Sequence, residues 1–176
     1  MDVDSRTADI RTGSLAAVAS SPRDAGNHGV RSPSMYKVIL VPVDIDHKAS
    51  WAKSLPTAIQ LCQTYGASLH LVSIIPSVRM PMVDGFFPED FTATAKKKMK
   101  EALQAFAAKQ VPAELKAKLI VVDGKAYEGI LRVAKKINAD LIVMSTHKRK
   151  RIEDYLIGTN AMRVLQQSKV SVLVVR

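Results

Sequence analysis

The chain has 176 residues, 47% apolar and 24% charged, with a formal net charge of +10. That length supports one well-cored domain rather than two ordinary ones, and the balance is globular rather than disordered. One cysteine, Cys62, excludes an internal disulfide and suits a reducing compartment, and no apolar run approaches the roughly 20 residues of a membrane helix.

Residues 1–34 read as a disordered tail. They are rich in Ser, Ala, Asp, Arg and Gly, show no helical or strand period, and cannot bury enough surface to offset their ordering entropy. Arg6, Arg11, Arg23 and Arg31 balance Asp2, Asp4, Asp9 and Asp24, so the whole positive excess belongs to residues 35–176. The apolar stretch Leu15 to Ala19 is too short for a signal-peptide core, and no basic cluster introduces it. The expected protein is soluble and cytoplasmic, without membrane contact.

From Met35 the text changes. Tyr36-Lys37-Val38-Ile39-Leu40-Val41-Pro42-Val43-Asp44 is a continuous apolar run closed by Pro and Asp, as in a strand buried on both faces of a parallel sheet. Trp51 to Tyr65 predicts a helix capped by Gly66. Ser68 to Ile75 predicts a second strand, stopped by Pro76, and Pro81, Gly85 and Pro88 mark the loop beyond it. Phe91 to Gln110 predicts a long amphipathic helix with Met99, Leu103 and Phe106 on one face. Lys118 to Val122 is a strand ending in Asp123-Gly124. Tyr127, Ile130, Leu131, Ala134 and Ile137 form a helical stripe, and Asp140 to Ser145 a fourth strand. Gly158 to Gln167 and Val170 to Val175 complete a βαβαβαβαβ series. That alternation predicts an α/β fold, a doubly wound five-stranded parallel sheet in the order 3-2-1-4-5 over residues 35–176.

In such sheets ligands lie beyond the carboxyl ends of the strands, where the winding reverses. Strands 1 and 4 flank that point, which singles out two loops: Pro42-Val43-Asp44-Ile45-Asp46, and Met144-Ser145-Thr146-His147 followed by the basic run Lys148-Arg149-Lys150-Arg151 and Gly158-Thr159-Asn160. Asp44 can accept hydrogen bonds from a ribose, cap the next helix or pair with a lysine. Gly158-Thr159-Asn160 stands where a helix begins, with free N–H groups suited to phosphate, though Thr is also an ordinary N-cap. The basic run can grip phosphates or other polyanions, or simply be solvated.

These loops carry a resemblance. Residues 35–176 resemble a universal stress protein in Tyr36 to Asp44, Ala139-Asp140-Leu141-Ile142-Val143-Met144, Tyr155-Leu156-Ile157-Gly158-Thr159-Asn160-Ala161 and Ser171-Val172-Leu173-Val174-Val175. The resemblance implies an adenine-nucleotide-binding stress-response sensor or regulator, with ATP or AMP as ligand, ATP with magnesium among the options. It implies Asp44 at the ribose, Ile74 offering backbone groups to adenine, and Val43 and Met144 lining the base pocket, with Pro42 also among the site residues. Nucleotide-binding members carry Gly-x2-Gly-x9-Gly-(Ser/Thr). Here Ser145 and Lys148 take the first two glycine positions and only Gly158-Thr159 is retained. Glycine there permits close backbone approach to phosphate, whereas Lys148 adds bulk together with a positive charge. The resemblance also implies a homodimer through the terminal strand. The alternative is a family member without ATP that works as a dimeric interaction module for an unidentified protein partner.

Other readings are weaker. A receiver-type phosphoacceptor could use Asp44, Asp46, Asp123 and Thr146, but its lysine loop and final helix have no counterpart before Arg176. Ser145, Thr146 and His147 are adjacent without forming a triad, so the protein reads as a binder and at most a slow ATPase. Four scattered histidines and one cysteine argue against a transition-metal site. Aromatic content of 5% argues against nucleic acid. Trp51 reads as a packing anchor.

Overall fold

The computed structural model describes residues 35–76, 91–146 and 158–176. The expectations placed on residues 1–34, on the loop after Pro76 and on Lys148 to Arg151 lie outside the described residues.

Nine elements follow in the expected alternation: β1 (Val38–Pro42), α1 (Ser54–Tyr65), β2 (Ser68–Ile75), α2 (Phe91–Gln110), β3 (Lys118–Asp123), α3 (Ala126–Lys136), β4 (Leu141–Ser145), α4 (Thr159–Gln167) and β5 (Ser171–Val175). The strands are all parallel and lie in the order β3-β2-β1-β4-β5.

Strand periodicity explains the unbroken apolar runs. Alternate side chains point to opposite faces, and both faces are covered. Ile39, Val41, Leu69, Leu71, Leu141 and Val143 pack with Leu55, Ala58 and Cys62 of α1 and Leu103 and Phe106 of α2. Leu40, Val72, Ile142 and Met144 pack with Ile130, Val133 and Ala134 of α3 and Ala161 and Val164 of α4. A strand sandwiched in this way has no position left for a polar face. Cys62 belongs to the first core, where burial pushes its thiol up to about 11 and keeps it protonated.

Helix ends follow local chemistry. Gly66 closes α1 in the left-handed conformation, at φ 66°. Gly129 lets α3 approach the sheet: a Cβ there would stand 3.1 Å from Cγ1 of Ile74.

Several boundaries differ from the sequence reading, each for a hydrogen-bonding reason. α1 starts at Ser54 rather than Trp51, because a 3₁₀ turn over Lys48–Ser50 precedes it and Trp51 leaves helical geometry at φ −132°. Trp51 does anchor packing, edge-on to Phe106 with ring centroids 4.9 Å apart. β3 runs one residue further, to Asp123, which pairs with Ile75. β4 starts after Asp140, whose carboxylate accepts the N–H groups of Lys37 and Val38 at 2.8 Å each and fastens the start of β1. β5 starts at Ser171, after Ser168 Oγ has bonded both the N–H and the C=O of Val170.

Candidate functional site

β1 stops before β2 does. Their register ends at Pro42 opposite Val72, and the last bond across is from Val43 N–H to Val72 C=O at 2.8 Å. β2 continues to Ile75, paired only with β3. Backbone groups alternate sides along a strand. Val72 faces β1, so Ile74 does too, while Ile75 C=O faces β3 and accepts Gly124 N–H at 3.0 Å. The N–H and C=O of Ile74 are therefore aimed at the space beyond the end of β1, where the register leaves no β1 residue opposite. The Ile74 side chain is turned down onto Gly129 of α3.

Asp44 lies at the tip of β1 and is exposed. Its Oδ2 is 2.8 Å from His47 Nδ1, and its Oδ1 accepts the Asp46 N–H at 3.2 Å. Of the roles open to it in the sequence, it takes a local pair and a turn-closing bond, with a histidine rather than a lysine as partner. An ionised carboxylate has about four acceptor positions, so these two bonds leave capacity for a ligand hydroxyl.

Ser145 ends β4 and is buried, its Oγ accepting the N–H of Ser54 at 3.1 Å. The hydroxyl is thus turned toward the start of α1 and meets a donor, not a base. Val43 and Met144 are buried in different layers, Val43 with α1 and α2 and Met144 with α3 and α4, so their side chains do not meet. Pro42 is half-buried at the end of β1. Gly158 is the N-cap of α4 without a side-chain cap bond, and Thr159 and Asn160 are exposed on the first turn. Because α4 joins two parallel neighbours, its N-terminus lies on the side of the strand carboxyl ends.

The sequence reading missed a cleft. A cavity of about 290 Å³ beside the carboxyl ends of β1 and β2 is lined by Ile45, Asp46, Ile75, Ala95, Lys98, Met99 and Ala102. The signal was present as small and apolar residues at 95, 99 and 102 on α2, but helical spacing alone does not separate a core stripe from a cleft wall. Asp123 stands near the same end of the sheet. Hydrogen bonding from Lys96 Nζ, 2.6 Å away, holds its carboxyl below the usual carboxylate range. Among the described residues no group of three or more His, Cys, Asp or Glu is placed to hold a metal ion.

The profile of the universal stress protein family matches residues 35–176. The chain belongs to that family. A universal stress protein of Staphylococcus aureus (strain USA300) is 27% identical over 143 residues, covering 80% of this chain and 84% of its own. The solved universal stress protein UspA from Lactobacillus plantarum superposes with a TM-score of 0.59 at 25% identity, over 80% of this chain and 98% of that one. A universal stress protein solved in complex with cAMP shares the fold, with a TM-score of 0.51 at 20% identity, over 80% of this chain and 97% of that one. No helix among the described residues is long and apolar enough to cross a membrane.

Proposed function

We propose that this universal stress protein binds an adenine nucleotide, ATP or AMP, beyond the carboxyl ends of β1, β2 and β4, and acts in the cytoplasm as a stress-response sensor or regulator. The observation that carries the reading is the overrun of β2 past β1. It leaves the backbone donor and acceptor of Ile74 facing the crevice beside the exposed carboxylate of Asp44. A donor and acceptor on one strand edge suit the hydrogen-bonding edge of adenine, and a carboxylate nearby suits the ribose hydroxyls. The apolar walls of the neighbouring cleft, Ile45, Ile75 and Met99, suit a flat base. That a family relative was solved with cAMP supports an adenine ligand on this fold.

In this reading Pro42, Val43 and Met144 form the floor under the crevice. The free N–H groups after Gly158, at Thr159 and Asn160, receive phosphate with help from the helix dipole. Lys148 adds a charge to the same phosphates. Ser145 keeps its side chain on α1, so its backbone remains free to approach the ligand. An accompanying magnesium ion would be held mainly by the phosphates, as is usual for that ion. Ser145 Oγ accepts the Ser54 N–H, which supports a positioning use of this hydroxyl over a nucleophilic one and a protein that acts by binding.

Isothermal calorimetry of the full chain with ATP, AMP and adenosine tests the reading. Heat of binding that saturates is expected; none at millimolar ATP overturns it. A second reading then takes its place, a dimeric interaction module. It is favoured by β5, which pairs only with β4 and exposes Leu173 on the outermost strand.

A further inference from the structure

The approach to α1 follows a simple series of backbone bonds. Trp51 and Ala52 donate to Lys48 C=O at 3.2 and 2.9 Å, and Leu55 donates to Trp51 C=O at 2.9 Å. Ser54, the first residue of a helix that has no side-chain cap, breaks the series. Its N–H goes instead to Ser145 Oγ, 3.1 Å away at the end of β4. Its own hydroxyl donates to Ser50 C=O at 3.2 Å. Ser50 Oγ then accepts the Asp44 N–H at 3.0 Å and donates to the Asp44 C=O at 2.9 Å. Ser54, Ser145 and Ser50 are only 0%, 8% and 9% exposed. Three serines, linked alternately through side chain and backbone, thus connect the tip of β4 to the tip of β1.

We propose that Ser145 is a positioning residue for Asp44: acting through Ser54 and Ser50, it sets the backbone at Asp44 and with it the direction of the Asp44 carboxylate. One hydroxyl holds both backbone groups of Asp44, so the orientation of residue 44 follows the position of Ser50. Ser50 is tied to Ser54, and the N–H of Ser54 is tied to Ser145. The bonds of Ser54 to Ser145 and to Ser50 are buried, so loss of either leaves a polar group that must move to find a partner. A glycine at 145 has no hydroxyl to give. The serine therefore has a use here that lies on the α1 side of the strand, away from any ligand. The effect on ligand affinity rests on the nucleotide reading above; the relay itself does not.

The test uses the full chain, isotopically labelled, with two NMR signals: the Asp44 amide resonance and the ring resonances of His47, whose Nδ1 sits 2.8 Å from the Asp44 carboxylate. Ser145→Ala is expected to displace both, although residue 145 touches neither group. Ser54→Ala, which keeps the helix N–H and cuts only the middle link, is expected to displace the same pair, and it decides the question if Ser145→Ala fails to fold. Thr64→Ala is the control, since its hydroxyl bonds Gln60 C=O on the exposed side of α1. It should move neither signal. A general loosening of the fold would raise amide exchange in α1 and β4 and leave the His47 ring resonances in place, and that result overturns the proposal. With ATP, Ser145→Ala should bind roughly threefold more weakly, and the loss should not add to that of Asp44→Asn. Additive losses, or unchanged affinity, overturn the positioning role. An unaltered protein that binds no ATP removes the nucleotide reading, and the two NMR signals still decide the relay.

Discussion

His70 of β2 stands in register with Lys118 of the edge strand β3, its ring only 6% exposed and its Nδ1 without a hydrogen-bond partner among the described residues. Nε2 has a long contact to Ser68 Oγ at 3.4 Å. Burial lowers the pKa of His70 below its ordinary 6.5, and the Lys118 charge lowers it further. The imidazole is therefore neutral at pH 7. A lowered folded-state value makes stability complete above about pH 6.5 and lost as the pH falls through the folded value, since the unfolded chain takes up the proton first. Melting temperature measured from pH 7.5 downward should fall below about pH 6.5, and His70→Phe should flatten the upper part of that slope. Parallel slopes in the two proteins would show that His70 carries none of the acid sensitivity.

Asp44 and Lys148 should separate by ligand. Asp44→Ala removes the proposed ribose contact and should weaken adenosine and ATP alike, by roughly tenfold if one charge-assisted hydrogen bond is lost. Lys148→Ala should weaken ATP and spare adenosine. Tighter ATP binding after Lys148→Ala would show that the side chain obstructs the site. Calorimetry on the four protein–ligand pairs reads both effects.

The terminal strand has a directional edge. Thr146 N–H bonds Val175 C=O at 3.2 Å, so Ser171, Leu173 and Val175 turn their backbone groups toward β4, and Val172 and Val174 turn theirs outward. If the protein is a homodimer through β5, Val172→Pro deletes an outward donor and leaves the β4 ladder alone. Light scattering at micromolar concentration should then show a dimer for the unaltered chain and monomer for the variant. A monomer mass for the unaltered chain rejects the assembly.

α2 is held to the sheet through a narrow face. Leu103 is fully buried and Phe106 nearly so, while Lys97, Lys100, Glu101 and Gln104 are exposed. Leu103→Ala should cost about 3 kcal/mol by removing buried methyl groups and leaving a cavity. Lys100→Ala should stay within about 0.5 kcal/mol. Denaturant titration of both variants checks the contrast, and equal costs would mean that α2 is not anchored at Leu103.

Much of the fold was legible. The bounds of β2 and α2 agree with the sequence reading residue for residue, because Gly66, Pro76 and the long Met99-Leu103-Phe106 stripe are strong local punctuation. Element starts were less so. The beginning of α1 moves from Trp51 to Ser54 because a 3₁₀ turn precedes it, and the N–H of its first residue is met by a hydroxyl 91 positions away in sequence.

The sequence by itself determined the alternation of elements, the parallel sheet buried on both faces and the pair of loops at the winding reversal. Each of these is written in a period of two or 3.6 residues and in its interruptions, and such periods are set by backbone geometry alone. Only the tertiary structure decided which way the groups in those loops turn. It assigned the Asp44 carboxylate to His47, the Ser145 hydroxyl to Ser54, Val43 and Met144 to opposite cores, and Lys98 and Met99 to a cleft wall. A side chain's direction depends on the free energy of partners brought near by the packed chain, and a one-dimensional pattern carries no record of those distances.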